Sequence, residues 1–199
     1  MSGTATSNRI LDVAETLVQT RGFNGFSYAD VAAALGVTKA SLHYHFPSKS
    51  TLGERLIERY RTSFHNALLQ IEAKHATAPA RLEAYIAIYA DVLADDRMCL
   101  CGMLAADYAT LPEPMQTEVR RFFEVNETWL SAVLRRGRDR GELTFEGSAL
   151  EVARDLTAAL EGAMLLARSQ GDSARLKTAS RRLLANFGIR PPAREAAAD

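Results

Sequence analysis

The sequence predicts an all-α fold, and three observations carry that reading. Apolar residues recur at spacings of three, four and seven in nearly every segment, the period of one helix face. No stretch alternates apolar and polar residues as a half-buried strand would. Glycine, proline and capping hydroxyls fall between the periodic segments, where helices start and stop. With 199 residues, 47% of them hydrophobic, the chain has material for a buried core, and wholesale disorder is not expected.

Each element has its own justification. Ile10, Val13, Ala14, Leu17 and Val18 line one side of a first helix that Gly22 ends. Ser27 opens a second, with Asp30 three residues on as a capping-box-like partner, and this helix covers Tyr28 to Leu35 and stops at Gly36. Thr38 caps a short third helix, Lys39 to His45, which Pro47 prevents from continuing. Ser48 caps a long fourth helix with Leu52, Leu56, Tyr60, Phe64, Leu68 and Ile71 along one side. If it reaches Lys74 it is about 40 Å long. His75 to Pro79 reads as a loop. Further helices are expected near 80–95, 102–110, 114–140, 147–170 and 173–188, with breaks at Leu111-Pro112-Glu113-Pro114 and Arg140-Gly141. About nine helices result: a head at 1–52, a larger domain at 53–190 entered by the fourth helix, and a disordered tail at 191–199.

Charge and composition narrow the function. The 24 Lys and Arg balance the 24 Asp and Glu, so any nucleic-acid surface must be local. Residues 1–60 carry Arg9, Arg21, Lys39, Lys49, Arg55 and Arg59 against five acidic residues, a net of +1. Cys99 and Cys101 are too close for an easy unstrained bridge, so reduced thiols and a cytoplasmic location are expected. Residues 1–9 lack the apolar core of a secretory signal, and no uncharged apolar run nears the roughly 20 residues that span a bilayer. There is no Gly-x-Gly-x-x-Gly, phosphate loop, His-Glu-x-x-His or nucleophile elbow, so neither an enzyme nor a bound cofactor is expected. His43-x-His45 has no carboxylate or thiol nearby and is not read as a metal site.

The informative stretch runs from Phe26 to Leu52. Eight helical residues, a turn at Gly36-Val37 and seven more make a helix-turn-helix spacing, with Val31, Leu35, Val37 and Leu42 as shared core and small Ala32 and Ala33 at the crossing. Ala32 to Leu42, followed by His43-Tyr44-His45-Phe46-Pro47-Ser48-Lys49, resembles the signature of the TetR family of bacterial transcription regulators. The likeness extends over residues 9–56, about a quarter of the chain. Leu160-Glu161-Gly162-Ala163-Met164-Leu165-Leu166-Ala167-Arg168 resembles the penultimate helix of that family more weakly. His43 departs from the Tyr or Trp more frequent there, which leaves sequence preference open.

The resemblance implies a homodimeric repressor on a near-palindromic double-stranded operator, released by an unknown small-molecule effector. The residues expected at DNA are Ser27, Tyr28, Thr38, Lys39, Ala40, Ser41, His43, Tyr44, His45 and Lys49. Short side chains at the start of the third helix suit a major-groove approach, and Lys49 at the first turn of the fourth suits a phosphate. For the effector pocket the candidates are Phe64, Tyr85, Tyr89, Met103, Asp107, Tyr108, Phe122, Asn126, Trp129 and Glu161. Asn126 lies within an apolar face and needs a partner, which either neighbouring helices or a ligand supplies; Asp107 faces solvent or anchors a pocket. Leu156 to Ala167 is apolar on almost all sides and must be covered twice. Leu156, Ala159, Leu160, Gly162, Ala163, Leu166, Leu183 and Phe187 are the expected dimer contacts. Cys99 and Cys101 are either small buried hydrophobes or, as in some similar regulators, thiols that sense oxidants or electrophiles. A redox switch on the same DNA head is therefore the rival reading.

Overall fold

The computed structural model describes residues 3–188, and the tail expected at 191–199 lies outside the described residues. The described chain is helical and holds no strand. In order it forms α1 (Gly3–Arg21), α2 (Tyr28–Leu35), α3 (Lys39–His45), α4 (Lys49–Lys74), α5 (Ala78–Ala94) and α6 (Leu100–Ala106). After a 3-10 turn at Tyr108–Thr110 come α7 (Glu113–Asp139), α8 (Ala149–Ser169) and α9 (Ala174–Asn186).

Two boundaries differ from the sequence reading. Ala78 and Pro79 belong to α5 rather than to a loop, because proline fits a first turn whose N–H groups lack helical acceptors. The Glu142 carboxylate accepts from the Ala78 N–H at 2.6 Å and completes that cap. The segment expected as one helix at 102–110 is α6 followed by the 3-10 turn, with Asp107 between them.

The chain packs as two compact units. Among the described residues, one comprises the chain up to Leu69 together with Val92–Asn126; the other comprises Gln70–Asp91 and Glu127 to Gly188. Helices α4, α5 and α7 each contribute a segment to both.

In the first unit Ile10, Ala14, Val18, Val31, Leu42, Leu52 and Ile57 are buried. A ring cluster sits beside them, with the Phe122 centroid 5.6 Å from Tyr60 and 5.1 Å from Phe64. Arg59 on α4 reaches Asp12 and Glu15 on α1 at 2.7 Å each, which fixes the register of these two helices. The second unit buries Leu82, Tyr85, Leu130, Val133, Leu134, Leu156, Leu160 and Met164. There α8 starts in a capping box: the Ser148 hydroxyl accepts from the Glu151 N–H at 3.2 Å, and the Glu151 carboxylate accepts from the Ser148 N–H at 3.0 Å. That bonding, the Ser148 side chain first, holds the Glu151 carboxyl below its usual range.

Candidate nucleic-acid interface

Local chemistry builds the head. Ser27 Oγ accepts from the Ala29 N–H at 3.2 Å, and Asp30 accepts from the Ser27 hydroxyl and N–H at 2.7 Å each. The hydroxyl bond is the main reason the Asp30 carboxyl is held below its ordinary range. Gly36 ends α2 with a positive φ of 66°, a conformation that a side chain would strain. The chain then turns into α3, where Thr38 Oγ1 accepts from the Ser41 N–H at 3.2 Å. Leu42 and Phe46 pack inward and close the head.

What α3 leaves outside is the face that matters. Lys39, Ala40, His43 and Tyr44 are exposed, while Ser41 and His45 are half-buried. Tyr44 is 84% exposed, although burying an aromatic ring of this size is worth roughly 1.5–3 kcal/mol. Its ring meets that of His45, edge to face at 5.2 Å. His43 Nδ1 lies 3.2 Å from the Pro47 carbonyl oxygen, and its ring packs 4.8 Å from the buried Tyr28 ring. The first turn of α3 thus presents small and polar groups, and its last turn presents a phenol.

Two expected DNA contacts are turned inward. Tyr28 is buried, and its hydroxyl donates to the Phe46 carbonyl at 2.8 Å, fastening α2 to the end of α3. Desolvation pushes its phenol up to about 12. Lys49 donates to the carbonyls of Phe23 and Phe26 at 2.5 Å each, with its ammonium 4.5 and 4.3 Å from their ring centroids. Burial lowers its pKa, partly offset by Asp107 and Asp30. A lysine at a helix start suggests a phosphate; in this structure its acceptors are peptide carbonyl oxygens of the α1–α2 loop. Ser27 is exposed, but its hydroxyl serves the cap.

The pocket candidates separate by unit. Phe64 and Phe122 belong to the ring cluster of the first, where Asn126 is also buried and Met103 is half-buried. Asp107 is half-buried, and its carboxylate accepts from the Phe23 N–H at 2.8 Å and the Asn24 N–H at 3.4 Å. The Tyr108 hydroxyl accepts from the Arg120 guanidinium. In the second unit Tyr85 and Tyr89 are buried with their hydroxyls 3.0 Å apart, and the Tyr85 ring stacks on Trp129 at 5.7 Å. The Trp129 Nε1 is buried with no hydrogen-bond partner, and Glu161 is half-buried.

The α8 candidates divide by face. Leu156 and Leu160 are buried within the chain, and Phe187 is buried as well, so these three are core rather than surface. Gly162 and Leu166 are exposed, and Ala159, Ala163 and Leu183 are half-buried. A helix apolar on every side does not reveal which side faces its own core. Leu165, missed in the sequence, is 56% exposed beside Leu166 at 62%. Their position three and four residues after Gly162 was the available signal. A cleft of about 660 Å³ runs along this face, lined by Ala159, Gly162, Ala163 and Leu166 of α8 and by Thr178, Ala179 and Arg182 of α9. Cys99 and Cys101 are 2% and 0% exposed, and the Tyr60 hydroxyl lies 3.9 Å from Cys99 Sγ. Among the described residues no group of His, Cys, Asp or Glu is placed to hold a metal, and no helix is long and apolar enough to cross a membrane.

A capped hairpin of helices whose second member keeps its outer face open is the architecture of a helix-turn-helix DNA-binding protein. Residues 10–56 match the family model of bacterial regulatory proteins, tetR family, and residues 78–183 match that of the tetracyclin repressor-like C-terminal domain. The chain belongs to the TetR family of bacterial transcriptional regulators. A TetR-family regulator from Agrobacterium tumefaciens is 36% identical with a TM-score of 0.91, covering 94% of this chain and 99% of that one. The HTH-type transcriptional repressor NemR of Escherichia coli (strain K12) is 28% identical, over 82% of this chain and 84% of its own length. The crystal structure of its reduced form has a TM-score of 0.80 at 26% identity, covering 94% of this chain and 99% of that one. The HTH-type transcriptional repressor DhaR of Mycobacterium sp. (strain GP1) is 25% identical over 89% of this chain and 85% of its own.

Proposed function

We propose that the chain is a homodimeric, effector-responsive repressor whose α3 helices read the two halves of a near-palindromic operator. The open face of α3 carries this reading: Lys39, Ala40, Ser41, His43 and Tyr44 meet the duplex, with Thr38 and His45 at the edges. Two such helices must reach successive major grooves roughly 34–36 Å apart, which requires a second copy. The face of Gly162, Leu165 and Leu166 supports self-association, since small residues beside exposed leucines let helices approach closely. In the second unit the unpaired Trp129 Nε1, stacked against Tyr85, supports an effector that carries a hydrogen-bond acceptor. Such an effector releases DNA only if it binds the DNA-incompetent arrangement more tightly, because equal affinity shifts nothing. Helix α4 is the lever we assign to that change.

The experiment is selection of duplexes from a random library by the purified chain, followed by fluorescence anisotropy. An inverted repeat should emerge, and Lys39→Ala and Tyr44→Ala should each weaken binding by roughly tenfold without lowering Tm. Leu166→Glu should return the protein to a monomer in sedimentation equilibrium. Failure to enrich any sequence, or variants that bind like wild type, would overturn the reading.

A second reading, a thiol sensor on the same head, is supported by the Tyr60–Cys99 contact and by the likeness to NemR, which was crystallised in a reduced form. The burial of both thiols weighs against it, since an oxidant must first open the start of α6. Cys99→Ser with Cys101→Ser would abolish a response to peroxide and leave an effector response intact.

A further inference from the structure

The α2–α3 head is joined to the rest of its unit by two loops, Gly22–Ser27 before α2 and Phe46–Ser48 after α3. The first is held from two sides by directional polar bonds. From α4, Lys49 donates to the Phe23 and Phe26 carbonyls. From the end of α6, Asp107 accepts from the Phe23 N–H at 2.8 Å and the Asn24 N–H at 3.4 Å, while the Asn24 side-chain amide donates to Thr110 Oγ1 at 2.8 Å. The Phe23 residue therefore takes α6 on its N–H and α4 on its C=O. Gly22 permits the approach: its φ is +79°, and a Cβ there would stand 3.1 Å from Asp107 Oδ2. The same strand of contacts continues to the other end of α6, where the Met98 N–H donates to the Gln19 carbonyl of α1 at 3.1 Å.

We propose that Asp107 is a positioning residue: it holds the loop from which α2 starts, and with it the reading head, in one fixed placement against the end of α6. Apolar packing tolerates small slides, whereas a hydrogen bond at 2.8 Å is lost beyond about 3.5 Å. The inference rests on α2 and α3 being the reading head.

The test pairs anisotropy on a duplex selected by the wild-type chain with a distance measurement. Nitroxides at Ala40→Cys on α3 and Arg121→Cys on α7, in chains diluted with unlabelled protein, read the placement of the head within one protomer by pulsed electron resonance. For Asp107→Ala, affinity for the selected duplex should fall roughly tenfold, affinity for random duplex should change by less than about threefold, and the distance distribution should broaden. Asp107→Asn keeps an acceptor oxygen and should restore the narrow distribution and an affinity within about threefold of wild type. Asn24→Ala removes only the exposed side-chain tie, should give intermediate values, and decides the matter if Asp107→Ala does not fold. Wild-type affinity and width in Asp107→Ala, or in Asn24→Ala where it alone folds, would overturn the inference. A loss that Asp107→Asn fully shares without broadening would do the same. If the wild-type chain enriches no duplex, the DNA-reading proposal fails instead, and the nitroxide distances still decide whether Asp107 positions the head.

Discussion

Replacing Lys49 with methionine separates two roles for this residue, because methionine keeps the apolar stem and removes only the ammonium. In the folded head that ammonium donates to two carbonyls at 2.5 Å and lies over two aromatic rings. Charged hydrogen bonds contribute about 1.5–3 kcal/mol each, and leaving a partly buried carbonyl unpaired costs a further share of about 1–3 kcal/mol. Against this stands the desolvation of the ammonium, visible in its lowered pKa, which the variant no longer bears. A net loss of about 2–3 kcal/mol follows, or roughly 4–12 °C in Tm for a chain of this size. Calorimetry reads the stability, and anisotropy against salt concentration reads the phosphate contacts. The inward lysine leaves the slope of log K against log salt unchanged. An unaltered Tm together with a slope reduced by about one would place Lys49 on a phosphate and refute the reasoning.

Other substitutions probe separate features. Tyr28→Phe orphans the Phe46 carbonyl and should cost about 1–2 kcal/mol in urea denaturation. Gly137→Ala would drive a Cβ to 2.5 Å from the Ala78 Cβ and 2.6 Å from Leu143 Cδ1, neither of which can swing away freely, so a loss of about 1–3 kcal/mol is expected by the same assay. The Asp30 carboxyl is held below its ordinary 3.8 in the folded state, so its contribution is full above that pH and disappears as pH falls through the lowered value. In a Tm series from neutral to acid pH, Asp30→Asn should therefore lie below wild type above pH 3.8 and converge with it in stronger acid.

What could be read from sequence was what depends on neighbours in sequence. The limits of α2 and α3 follow from Ser27 with Asp30, from Gly36 and from Thr38, each acting on backbone within three or four residues. The start of α5 was not legible, because the group that caps Ala78 is Glu142, 64 residues away. The surroundings of Lys49 and Asp107 were not legible for a related reason. Their partners are peptide groups of Phe23, Asn24 and Phe26, and a backbone acceptor leaves no trace in residue identity. The open face of α3 was legible from its small and polar first turn. On α8 the apolar character was evident, but only packing distinguishes buried Leu156 and Leu160 from exposed Leu165 and Leu166.

In the proposed complex the outer face of α3 enters the major groove twice per operator. A cleavage reagent tethered through Ala40→Cys tests it directly on the duplex the chain selects, since that residue sits in the exposed first turn of α3. Two clusters of major-groove cuts centred about 10–10.5 base pairs apart are the expected result. A single cluster, cuts confined to the minor groove, or an uncut duplex still bound by the protein would contradict it.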